Sequence, residues 1–317
     1  MQPSRRDLLA HGGRLGAALA LTTAGASAGT PAARMARHTP QEVLFRISLA
    51  QWSLNGMLYG GELDALDFPS FAREQFGIDA VEYVNSFFKD KAGDFTWLGE
   101  LKGRAEDAGV RSLLIMIDGE GALATKDDAE RRRAIERHFK WIAAAAFLGC
   151  HAIRVNAAGD GDWDEDMARA ADSLQRLGTI GDDYGIDVIV ENHGGLSSNG
   201  AWLAGVMKKA AHPRVGTLPD FGNFHLGDGK WYDRYQGVEE LMPFARAVSA
   251  KAHEFDADGN EVRTDYERMM RIVLDAGYRG YVGIEWEGGE PAPVEGIRLT
   301  KKLLVRMHER LRGDYGG

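Results

Sequence analysis

From residue 45 onward, short apolar and β-branched runs alternate with longer stretches whose apolar positions recur every three or four residues. The short runs predict strands over residues 45–54, 78–84, 110–118 and 151–158, then over 186–193, 214–221, 247–255 and 281–288. Segments such as DFPSFAREQFG, FTWLGELKGRAEDAG and DEDMARAADSLQRLGTIGDDYG lie between them and carry the helical period. Several close on glycine just before the next strand, at Gly77, Gly109, Gly149, Gly185 and Gly277, and glycine suits the left-handed residue that ends a helix. Eight strand–helix units repeating roughly every 30–40 residues predict an α/β fold, a parallel sheet closed into a (β/α)8 TIM barrel. No glycine-rich phosphate loop follows any strand, which argues against a doubly wound dinucleotide or nucleotide fold. The barrel is expected to be one domain, residues 44–317.

In such a barrel the active site lies at the C-terminal ends of the strands, so polar groups there are the informative ones. The run DVIVENHGG drives a strand into Glu191, Asn192 and His193, groups that are costly to bury unpaired. The next three strands end likewise: Asp220 in TLPDFGN, His253 in KAHEF and Glu285 in GIEWEG. Every second side chain of a strand faces inward and neighbouring strands are ~5 Å apart, so these four groups can converge. Three carboxylates and an imidazole cannot be held together uncompensated in a low-dielectric site, because the like charges of the acids repel unless a cation holds them. Oxygen ligands with one nitrogen point to a divalent metal, Mn²⁺ first and Mg²⁺, Co²⁺ or Fe²⁺ next. Catalytic Zn²⁺ more usually has two or three histidines.

Other inward or nearby residues are candidates for substrate binding. His193 follows Glu191 by two and shares its face, and Glu287 follows Glu285 in the same way. Lys251 also faces inward, where it would stabilise an enolate, bind a hydroxyl or simply neutralise a carboxylate; the sequence leaves these open. Trp52, Asn156, Trp202, Trp231 and Trp286 are candidates for a wall against a sugar ring, although the parity of Trp286 turns it outward into packing.

The motifs ENHGG, PDFGN, KAHEF and IEWEGG together resemble the sugar phosphate isomerase/epimerase family, the xylose isomerase-like barrels that include ketose 3-epimerases and inositol-catabolic enzymes. The resemblance implies that Glu191, Asp220, His253 and Glu285 are metal ligands and that Glu191 and Glu285 double as an acid/base pair. One departure is visible. Ketose epimerases usually carry a histidine three residues after the sixth-strand aspartate, where this chain has Asn223, with His225 two further on. The expected activity is a divalent-metal-dependent isomerase or epimerase, working by proton removal next to a carbonyl through a metal-stabilised enediolate. A lyase, dehydratase or hydrolase-like enzyme on 3-keto-glycosides is the alternative, and a non-catalytic sugar-binding protein is the reading from another class.

Composition narrows the partners. Of the 317 residues, 38 are Lys or Arg and 47 are Asp or Glu, giving a net charge of -9 that would repel a nucleic-acid backbone. This argues against an apurinic endonuclease, which shares the barrel. The single cysteine, Cys150, excludes an intrachain disulfide and a cysteine-based zinc site. The N-terminus pairs Arg5 with Arg6, then runs through LGAALAL to the small residues Ala26-Ser27-Ala28. That layout predicts a twin-arginine signal over residues 1–28, a linker over 29–43, and a periplasmic or secreted protein without stable membrane association. Export favours an unphosphorylated sugar or polyol as substrate. A homo-oligomer is possible on this reading.

Overall fold

The computed structural model describes residues 43–316; the expected signal segment and nearly all of the linker lie outside them. The strands are β1 (Arg46–Ala50), β2 (Ala80–Val84), β3 (Arg111–Met116), β4 (Ala152–Val155), β5 (Asp187–Glu191), β6 (Val215–Leu218), β7 (His225–Gly227), β8 (Lys230–Trp231), β9 (Val248–Ala252) and β10 (Tyr281–Trp286). All except β7 and β8 form one parallel sheet in the order β6-β5-β4-β3-β2-β1-β10-β9. The sheet curls until β6 meets β9. Three backbone bonds bridge that seam: Arg246 N–H to Thr217 O (2.9 Å), Ser249 N–H to Pro219 O (2.9 Å) and Phe221 N–H to Ser249 O (3.1 Å). The eight-stranded barrel expected from the periodicity is therefore the fold.

Local sequence explains where elements stop. The helix Asp128–Leu148 starts behind Asp127, whose carboxylate accepts the N–H groups of Ala129 and Glu130, and ends at Gly149 with φ 80°. The helix Trp163–Tyr184 repeats this with Asp162 and Gly185. The strands are all shorter than expected; β6, for example, stops at Leu218, before Pro219, and β9 stops at Ala252 rather than running on to residue 255. Beyond β6 the chain makes a feature that the periodicity did not predict, the antiparallel hairpin β7–β8, turned through Gly227, Asp228 and Gly229, all at positive φ.

Two apolar layers result. A small one fills the barrel with Ala50, Val84, Leu114, Met116, Ala152, Ile189 and Leu218. A larger one lies between strands and helices and takes in Trp141, Trp202 and Trp286. Charged side chains also enter the barrel. Glu82 of β2 is buried against Gly283 of β10, where any Cβ would collide with its carboxylate.

Candidate active site

Three carboxylates, those of Glu191, Asp220 and Glu285, meet at the C-terminal end of the barrel with an oxygen of each within 4.8 Å of the others. Glu191 and Glu285 are the last and next-to-last residues of β5 and β10. Asp220 lies beyond β6 and is placed by its loop. Its Oδ1 accepts the backbone N–H groups of Gly222 and Asn223, both at 2.8 Å. Ser249 of β9 bridges two of the acids, with Oγ 2.7 Å from Asp220 Oδ2 and 2.8 Å from Glu285 Oε2. A single hydroxyl proton serves only one of those oxygens at a time.

Two buried cations stand against the cluster. Lys251 Nζ lies 3.0 Å from Glu285 Oε1, 3.3 Å from Glu287 Oε2 and 3.8 Å from Asp220 Oδ2. Gly222 makes room for it, because a Cβ there would press on Lys251 Cγ at 2.8 Å. Arg154 of β4 sets Nε 2.7 Å from Glu191 Oε2, and its Nη1 donates to Asp118 Oδ1 at 2.7 Å. The Arg154–Glu191 contact is close but poorly aligned, and both atoms are buried without a hydrogen-bond partner. Glu191 is tied instead through Oε1, which accepts from Asn223 Nδ2 at 2.9 Å.

Burial and charge separate the acids. Burial pushes the Glu191 carboxyl up to about 8 against the pull of Arg154, and raises Asp220 to about 6 against Lys251. Burial acts on Glu285 too, yet Lys251 and Ser249 hold it below the usual carboxylate range. Below the cluster, burial raises Glu82 to about 7 although Ser48 Oγ donates to it at 2.6 Å. Lys251 goes the other way: burial opposes its charge, but Asp220 and Glu285 raise its pKa well above normal.

The remaining candidates divide between rim and core. His253 follows the end of β9 and sits at the rim, with Nε2 3.9 Å from Glu287 Oε2 and outside the group of converging ligand atoms. Partial burial, with Arg263 nearby, depresses its pKa to about 4. His193, Asn223, His225, Trp231 and His253 line a cavity of about 270 Å³ that borders the cluster. Trp52 donates through Nε1 to Glu287 Oε1 at 2.6 Å and packs beside Phe87 and Tyr59, with ring centroids 6.1 and 6.4 Å away. Asn156 donates to Asp118 Oδ1 at 2.8 Å. Trp202 and Trp286 are buried behind the strands and take no part in the wall.

The three carboxylates form a group that could hold a metal ion. The expected four-ligand set is not assembled, because His253 stays at the rim and the Lys251 ammonium takes the inner position on β9. A protonated lysine offers no lone pair and repels a dication. In this arrangement the residues do not fit a divalent ion with four protein ligands.

Sequence reasoning missed Arg154, Glu82, Asp118 and Phe87. The signal for the first two was present: each is a charged residue inside an otherwise apolar strand, AIRV and AVEYV.

Comparison with known proteins agrees with this architecture. One stretch is 36% identical over 76 residues to the C-glycoside deglycosidase alpha subunit of Arthrobacter globiformis, covering 22% of each chain. The match thus spans under a quarter of that relative. The fold is similar to 3-keto-D-glucoside 4-epimerase from E. coli (TM-score 0.63, 14% identity, 84% of this chain and 100% of that one). It is equally similar to a Mycobacterium smegmatis xylose isomerase-like barrel in complex with magnesium (TM-score 0.64, 15% identity, 84% and 98%). The model of one family matches residues 71–303, and the chain belongs to that family, the xylose isomerase-like TIM barrels.

Proposed function

We propose that the protein is a carbohydrate-modifying enzyme that moves a proton next to a carbonyl of an unphosphorylated sugar or polyol, as an isomerase or epimerase. The observation that carries this reading is the placement of Glu191 beside Glu285 with its Oε2 lacking any hydrogen-bond donor. That oxygen is free to take or return a proton, while Glu285 is anchored by Lys251 and Ser249. One carboxylate removes the proton, and buried positive charge offsets the enediolate. The cavity beside the cluster offers a sugar polar groups, and Trp52 with Phe87 offers an aromatic surface linked to the cluster through Glu287. Manganese, the ion favoured by the residue types, could enter the cluster only if Lys251 withdrew from Glu285 and Asp220.

A second reading starts from the same proton transfer. Loss of a β-substituent from the resulting enediolate would make the protein a lyase on 3-keto-glycosides. It is favoured by the local similarity to a deglycosidase subunit and the shared fold with a 3-keto-glucoside epimerase. We further infer export by the twin-arginine route to the periplasm or beyond, to be tested by cell fractionation of the wild type and an Arg5→Lys/Arg6→Lys variant.

The test is solvent-deuterium incorporation into free sugars, polyols and 3-keto-glycosides, with product analysis separating the two readings. Glu191→Gln and Glu285→Gln are expected to slow exchange by about 10²–10⁴-fold. Undiminished exchange in both variants overturns the acid/base assignment.

A further inference from the structure

We propose that Lys251 is the resident cation of the carboxylate cluster, standing where a divalent metal would otherwise be held, so that the protein functions without bound metal. The inference concerns the cluster's composition and rests on the proposed activity only where activity is the readout.

The geometry carries it. Lys251 Nζ touches Glu285 at 3.0 Å and Glu287 at 3.3 Å, and lies 3.8 Å from Asp220, so one ammonium faces three acids from three different positions. It is held there by the protein around it. Tyr266 donates its hydroxyl to the Lys251 carbonyl at 2.8 Å, and Gly222 leaves the space that the side chain crosses. Lys251 pairs in register with Glu285 on β10, so the contact is built into adjacent strands rather than reached by a flexible surface arm.

The acids are correspondingly occupied. Asp220 Oδ1 takes two backbone N–H groups, Asp220 Oδ2 and Glu285 Oε2 share Ser249, Glu285 Oε1 takes Lys251, and Glu191 Oε1 takes Asn223. Glu191 Oε2 has no donor and faces the Arg154 guanidinium at 2.7 Å, while the one Ser249 proton alternates between Asp220 Oδ2 and Glu285 Oε2. A dication entering here would meet two fixed positive charges at contact range. The imidazole of His253 stays at the rim instead, with Nε2 3.9 Å from Glu287 Oε2.

The experiment is elemental analysis of the purified full chain, followed by titration with Mn²⁺, Mg²⁺ and Zn²⁺ monitored by calorimetry and melting temperature. The wild type is expected to carry far less than one equivalent of divalent metal, to show no saturable binding at the cluster, and to keep its exchange activity in chelator. Lys251→His, which replaces the cation with a ligand, is expected to gain one saturable Mn²⁺ site and a metal-dependent rise in melting temperature. One equivalent of metal in the wild type, lost in Asp220→Asn, overturns the proposal. A folded Lys251→His protein that still binds no metal removes Lys251 from this role. Should the Lys251 variant fail to fold, metal content and titration of the wild type decide alone. If no substrate undergoes exchange, the activity reading fails while the metal measurements stand.

Discussion

Asn192 and Asp220 exchange hydrogen bonds across neighbouring strand ends: the Asn192 Oδ1 accepts the Asp220 N–H at 2.8 Å, and its Nδ2 donates to the Asp220 carbonyl at 3.0 Å. The amide mimics a strand pairing that β6 cannot continue beyond Pro219. Asn192→Ala leaves two backbone groups of Asp220 buried and unpaired, at a cost of about 2–4 kcal/mol. Urea unfolding measures it, and a loss below about 0.5 kcal/mol would show that water or the loop replaces the amide.

Arg154 holds together two acids from different strands. Above pH 8, where Glu191 is ionised, removing the charge in Arg154→Met strands its carboxylate in the barrel interior and should destabilise the fold by about 3–5 kcal/mol. Adding Glu191→Gln removes the stranded charge, so the double variant should be more stable than Arg154→Met alone. Strictly additive losses in this double-mutant cycle would dismiss the pair as an energetic unit.

Glu82 makes stability depend on pH in a direction opposite to that of a paired acid. Burial raises its carboxyl from the ordinary 4.5 to about 7 in the fold. Between those values the folded state binds the extra proton, so this group's contribution is full below pH 4.5 and falls as pH rises through 7. The full loss is about 3 kcal/mol, as an order of magnitude. Glu82→Gln should therefore gain stability relative to wild type between pH 5 and 8, roughly in that amount. Parallel denaturation curves across that range, with a constant difference, would contradict it.

Trp52 combines an indole face beside Phe87 with an N–H bonded to Glu287. Trp52→Ala should raise KM for a sugar substrate by about tenfold, with a smaller change in kcat. An unchanged KM would place the wall elsewhere.

Much of this was legible along the chain. Periodicity carried the eight strand–helix units, and parity correctly turned Glu191, Glu285 and Lys251 inward and Trp286 outward. Parity does not encode depth. His253 shares the inward face with Lys251 but falls one step past the end of β9, so the lysine reaches the acids and the imidazole stops at the rim. Asp220 was found through its motif, yet its position depends on Asn192 and on turn N–H groups that no strand pattern describes. Arg154 and Glu82 stood out as charges inside apolar strands, but that signal has a second reading. A charge within a short apolar run reads as an outward residue of an alternating strand, and only barrel closure shows it to be internal.

The seam between β6 and β9 ties the closure of this barrel to its carboxylate cluster. The same few residues that zip the last gap, Pro219 to Phe221 against Ser249, carry the Asp220–Ser249–Glu285 bridge. A chain with the rest of its sheet formed but this gap open would hold Asp220 apart from its partners. Closing the barrel and bringing Asp220 to Ser249 and Glu285 therefore depend on the same contacts.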